Sequence, residues 1–181
     1  MTVHPKLKII LSVLLALLPA RAAAYVYFTE DTLMQSFFSV DVVSEVVWAP
    51  STAARDSFKA KVGYYPPVKS YTWHVAREGD AVTGYALVDE QLGQHEPITF
   101  GVMLRPDTSI ERIEVMVYRE QYGDGVRAEG FLAQFPGLDF KNPMRAGKEI
   151  RIVSGATIST RSLATGARRA SALLATWLEG V

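Results

Sequence analysis

The chain has 181 residues, room for one domain and short for two, and with 49% hydrophobic against 21% charged residues it can bury a core. Nineteen basic residues balance nineteen acidic ones, so no cationic footprint points to nucleic acid. With no cysteine, disulfides, thiolate-held zinc, cysteine-held iron–sulfur clusters, c-type haem attachment and a cysteine nucleophile are excluded, and three histidines make no histidine-rich metal site; redox chemistry here needs an organic cofactor.

Lys6 and Lys8 precede an apolar run, Ile9 to Leu18, interrupted only by Ser12. Pro19 then breaks the helix, and small residues follow through Ala22-Ala23-Ala24. This order reads as a secretory signal over residues 1–24, with cleavage after Ala22 or Ala24. A membrane-spanning helix needs about 20 apolar residues, and Arg21 comes too soon for one. An uncleaved N-terminal anchor is the alternative. Cleavage leaves a domain of residues 25–181 with 16 basic and 19 acidic residues.

In the mature chain, Thr29 is placed to cap a short amphipathic helix whose first turn holds Glu30 and Asp31 and whose apolar side holds Leu33, Phe37 and Phe38. The β-branched run Val40 to Val47 predicts a strand. Ser51 caps a second helix to about Lys61, with Phe58 and Val62 inward and Gly63 as its stop. Residues 71–119 then alternate in strand fashion. Tyr71, Trp73 and Val75 share one face, a turn at Glu78-Gly79-Asp80 leads to Val82–Asp89, and Ile98–Leu104 and Ile110–Arg119 follow. Such short spacings predict an antiparallel meander with one wet face, on which His74 is solvated.

Beyond the meander, Tyr122-Gly123-Asp124-Gly125 is a glycine-punctuated loop. A short helix is expected over Val126–Phe135, a short strand over Glu149–Val153, and a final helix from about Thr160 to Leu178. Leu163, Ala167, Ala170, Leu174 and Trp177 form the apolar stripe of that helix, and Arg168-Arg169 fall on its solvated side. The whole reads as an α+β fold: one domain, an antiparallel β-meander sheet with flanking helices.

The segment Ser154-Gly155-Ala156-Thr157-Ile158-Ser159-Thr160 sits between strand and helix. Unpaired N–H groups and the helix dipole make such a start an anion site, Gly155 and Ala156 leave room for a ligand, and Ser154, Ser159 and Thr160 can donate to phosphate oxygens. On spacing alone, ordinary capping by Ser159 or Thr160 explains the same residues.

Ser154-Gly155-Ala156-Thr157 resembles the attachment motif of the FMN-binding domain family, which includes the covalent flavin subunits of the Na⁺-pumping NADH:quinone reductase and of the Rnf complex. The resemblance extends to Glu120-Gln121-Tyr122-Gly123-Asp124-Gly125, where Glu120, Gly123 and Gly125 agree with the family's Glu-Thr-Pro-Gly-Leu-Gly loop and Gln121, Tyr122 and Asp124 depart from it. It also takes in Gln134-Phe135-Pro136-Gly137 and the strand segment Gly84-Tyr85-Ala86. The departures bear on membership in the pump-subunit branch and leave the flavin site intact.

The resemblance implies FMN joined by a phosphoester to Thr157, put there by a FAD:protein FMN transferase that releases AMP. Together with the N-terminal signal, this gives an exported electron carrier, periplasmic or on the outer face of the cytoplasmic membrane, for which the resemblance implies membrane or periplasmic redox proteins as partners; no catalytic or metal-binding residue is singled out. Glu120 serves either the flavin phosphate side or the turn, and Tyr118 and Tyr122 are candidates for stacking on the isoalloxazine. The alternatives are a permanent flavin subunit of a membrane electron-transport complex and a cofactor-free exported binding module.

Overall fold

The computed structural model describes residues 24–39 and 42–180. The expected secretory signal up to residue 23, and Val40 and Asp41 of the expected Val40–Val47 strand, lie outside them. Among the described residues no helix is long and apolar enough to cross a membrane.

Six strands, β1 (Tyr25–Val26), β2 (Val42–Trp48), β3 (Tyr71–Glu78), β4 (Ala81–Leu92), β5 (Pro97–Leu104) and β6 (Ile110–Tyr118), form one sheet in the order β1-β6-β5-β4-β3-β2. Every neighbouring pair is antiparallel, as the short turns joining β3, β4, β5 and β6 require of those strands. The meander is as expected from the alternation. The two-residue β1, which has no period to read, was not expected, and β4 outruns Val82–Asp89 because pairing with β5 continues to Leu92–Pro97.

Among the described residues there are four α-helices: α1 (Glu30–Phe37), α2 (Thr52–Val62), α3 (Glu129–Leu132) and α4 (Thr157–Leu178). Local chemistry starts and stops the first two. Thr29 and Thr32 form a reciprocal capping box at α1, while the Ser51 hydroxyl accepts from the Ala54 N–H and Gly63 ends α2 in the left-handed conformation. The expected Val126–Phe135 helix is instead a 3₁₀ turn, Asp124–Arg127, followed by the single turn of α3. The expected Glu149–Val153 strand reduces to an isolated bridge between Ala146 and Ile150, since no neighbouring strand is there to pair with it.

Both faces of the sheet are packed. Trp73, Val75, Leu87, Phe100, Val102, Ile113 and Val115 form the main core with α4, whose Gly166 lies against the Phe100 ring so closely that no side chain fits between them. On the other face Leu33, Met34, Phe37 and Phe38 close a smaller cluster over Ala76, Ala86 and Met116, and Leu33 occupies the space a side chain at Gly101 would need. The wet face expected from alternation is therefore partly covered, because small residues on β3, β4 and β5 let α1 settle onto it. His74 lies in that covered region, 4% exposed, with Nε2 2.7 Å from Glu30 Oε1.

Arg168 and Arg169 are not on a solvated side. Arg169 is 4% exposed and its guanidinium donates to Asp89 Oδ2, Gln91 Oε1 and the Glu90 carbonyl; Arg168 donates to the carbonyls of Phe140 and Lys61. Burying a guanidinium requires that its donors be matched, and β4 supplies the partners across the α4–sheet interface.

Candidate functional site

The hydroxyl-rich segment folds as a closed loop and a helix start. Ala156 N–H donates back to the Val153 carbonyl, and Val153 N–H donates to Thr160 Oγ1 at 3.3 Å. Gly155 takes φ +75°, a conformation glycine adopts without strain, and an added Cβ there would meet open space. Helix α4 therefore begins at Thr157, three residues earlier than expected, with Thr157, Ile158, Ser159 and Thr160 all in its first turn.

That first turn has no side-chain cap. Among the described residues no acceptor meets the N–H groups of Thr157, Ile158 or Ser159, and none engages the Thr157 hydroxyl. Three aligned donors and the positive end of a 22-residue helix thus face outward at an exposed threonine. Thr157 shares a shallow cavity of about 230 Å³ with Gln94, Glu120, Tyr122, Gly155 and Ile158. Ser154 is exposed beside it, and Ala156 is buried beneath it.

Other residues singled out in the sequence turn out to build the frame. Tyr118 is 1% exposed, and its hydroxyl lies 2.6 Å from the Tyr122 carbonyl and 2.9 Å from Ser159 Oγ. A phenol has one proton and the carbonyl can only accept, so Ser159 is the donor to Tyr118. Burial raises the pKa of Tyr118 and the Ser159 hydrogen bond opposes it. Gly123 belongs to the same latch, since a Cβ there would sit 2.7 Å from the Tyr118 hydroxyl. Tyr118 therefore offers no free face for stacking. The Ser159 hydroxyl donates to Tyr118 although Ser159 also lines the cavity, and the fully buried Thr160 hydroxyl accepts from the Val153 N–H, so of the three expected phosphate donors only Ser154 is exposed.

Glu120 resolves toward the turn. Its Oε1 accepts from the backbone N–H of His95 at 2.6 Å and of Glu96 at 3.0 Å, tying the β4–β5 loop to the end of β6. Tyr122, 77% exposed, is the aromatic residue left at the cavity rim, with Ile158 beside it. Gln134 gains a clear role: its side-chain oxygen accepts from Arg151 N–H at 2.8 Å, fixing the strand-like segment that leads into Ser154.

Sequence reasoning missed Gln94, because nothing local marks a loop residue as reaching a cavity 60 positions downstream. It also missed Ser162, whose hydroxyl donates to the Leu92 carbonyl at 2.6 Å and clamps the same loop onto α4. Ile158 lay inside the motif, and helix periodicity after Thr157 was the available signal.

Residues 93–172 match the family model described as the FMN-binding domain. Among solved structures, the crystal structure of NqrC from Shewanella oneidensis resembles this one with a TM-score of 0.51 at 12% identity, covering 83% of this chain and 88% of that one. At that identity the likeness establishes the shared fold. No curated protein sequence matches the chain. The resemblance, drawn over about residues 82–175 and most specific over 118–160, is thus borne out for residues 93–172, with Gly84-Tyr85-Ala86 outside the matched stretch, and the antiparallel α+β architecture is borne out with it.

Proposed function

Given the match of residues 93–172 to the FMN-binding domain family, we propose that this chain is an exported electron-transfer flavoprotein carrying FMN as a phosphoester on Thr157. The observation that supports it best is the exposed, unengaged Thr157 hydroxyl at an uncapped helix start. The N–H groups of Thr157, Ile158 and Ser159 suit the charge and size of a phosphate, and no side chain competes for them. Gly155 keeps the approach clear for the transferase. When bound, FMN supplies the electron-transfer chemistry that the chain's own side chains lack.

The dimensions favour a carrier over an enzyme that turns over its own substrate. Pockets that enclose a small molecule run to about 300–1,000 Å³, whereas the Thr157 cavity holds about 230 Å³. It accommodates the tether, while Tyr122 and Ile158 form an apolar rim against which a flavin ring can rest with an edge accessible to another protein. The donor and acceptor are then membrane or periplasmic redox proteins that meet that edge through a small, transient interface.

Intact-mass analysis after co-expression with a FAD:protein FMN transferase tests the assignment. The wild-type chain is expected to gain one FMN less one water, and Thr157→Ala to gain nothing while retaining its melting temperature. An adduct on Thr157→Ala, or none on wild type beside a working transferase control, overturns it.

A further inference from the structure

The sheet face opposite α4 carries a group of side chains that the flavin reading does not use. His74 on β3 is buried, Glu30 is the first residue of α1, and Glu45 on β2 is the register partner of His74. Directly opposed residues of an antiparallel pair have Cβ atoms about 4.5–5.5 Å apart, which brings the Glu45 carboxylate to the imidazole. One ligand atom from each of the three residues lies within 4.8 Å of the other two.

Their surroundings are electrostatically one-sided. The cleft above them, about 750 Å³, is bordered by a third carboxylate, Asp31, and by no lysine or arginine. Among the described residues the Glu45 side chain has no hydrogen-bond or ion-pair partner, so the Glu30–His74 contact at 2.7 Å does not account for its position.

We propose that Glu30, Glu45 and His74 bind a first-row divalent transition cation, for which Zn²⁺ is the test ion. One imidazole nitrogen and two carboxylate oxygens suit zinc and its neighbours, whereas magnesium and calcium select all-oxygen shells. Three protein ligands leave at least one position for water or an exogenous ligand. The ligands come from three elements, so the ion would pin α1 and the edge strand β2 to β3. This is not a histidine-rich site, and its single histidine is separated by 44 residues from Glu30 and by 29 from Glu45.

Calorimetric titration of the chelator-treated full chain with Zn²⁺ is the test, paired with thermal melts. Wild type is expected to bind one Zn²⁺ and to melt higher with it, because an ion that binds the folded state stabilises it by linkage. Glu45→Gln, which removes an exposed ligand with no structural partner, should weaken binding by at least about tenfold, leave the zinc-free melting temperature unchanged and abolish the zinc-dependent rise. His74→Gln should do the same to binding. Equal zinc affinity in wild type and Glu45→Gln overturns the site, as does an equal rise in melting temperature with Mg²⁺. Both readouts are independent of flavin attachment.

Discussion

At its N-terminal end α4 presents three N–H groups and a threonine hydroxyl that no described residue engages, whereas at its C-terminal end Trp177 is wedged between other rings. Trp177 stacks on Trp73 with centroids 5.6 Å apart and meets Tyr85 edge-on at 5.7 Å. Glu179, just beyond, is bound by Lys61 and Ser57. One end is open and polar, the other apolar and closed. The difference shows how a helix can afford an uncapped first turn: most of its stability comes from burying a face rather than from its termini, and 15 of the 22 residues of α4 are buried.

If the aromatic end anchors the helix, Trp73→Ala is the most damaging change, at about 3–5 kcal/mol by urea denaturation, since Trp73 is fully buried. The extent of flavin attachment per folded molecule should stay the same; a loss of attachment in folded protein would mean that the two ends are coupled. At the open end, Tyr118→Phe removes the hydroxyl shared by Ser159 and Tyr122 and should cost about 1 kcal/mol. It should also lower the fraction modified by the transferase, because the latch that positions Thr157 is broken; unchanged modification would reduce Tyr118 to a purely structural role.

The smallest effect is expected at Lys61. Its hydrogen bond holds the Glu179 carboxyl below the usual glutamate range, with burial opposing and Ser57 assisting. A lowered folded-state pKa means the pair stabilises the protein above the ordinary glutamate pKa and that this contribution is lost as pH falls through the lowered value. Glu179 is substantially solvent-exposed, so screening limits Lys61→Met to under about 1 kcal/mol at neutral pH. The wild-type–mutant difference in melting temperature should vanish in acid; a difference that persists there would assign the effect to packing of the lysine stem.

How far the site could be read in advance depended on the range of the interactions. The Ser-Gly-Ala-Thr segment and the clearance at Gly155 were legible because they are local, a loop of small residues running into a helix, although the helix starts at Thr157 and not near Thr160. The contacts of Ser159 and Thr160, and of Tyr118 at the end of β6, were not legible, because hydroxyl groups near a helix start suit capping, ligand binding and tertiary latching equally well. Only the end of β6, 41 residues from Ser159, selects the latch. Glu120 remained open between turn and ligand for the same reason, until the β4–β5 loop supplied two N–H donors.

The sequence by itself determined the antiparallel meander, through strict alternation between short turns, and the caps of α1 and α2, where each signal and its partner lie within a few residues. It also determined the position of the Ser-Gly-Ala-Thr motif ahead of the last helix. Tertiary structure alone decided that the second sheet face is covered, that His74 is buried beside Glu30 and that Arg169 is buried against Asp89, 80 residues away. Alternation and helical period report which way a side chain points from its own element. They do not report what another element brings to meet it, and for buried polar and charged groups that meeting decides between solvent, structure and site.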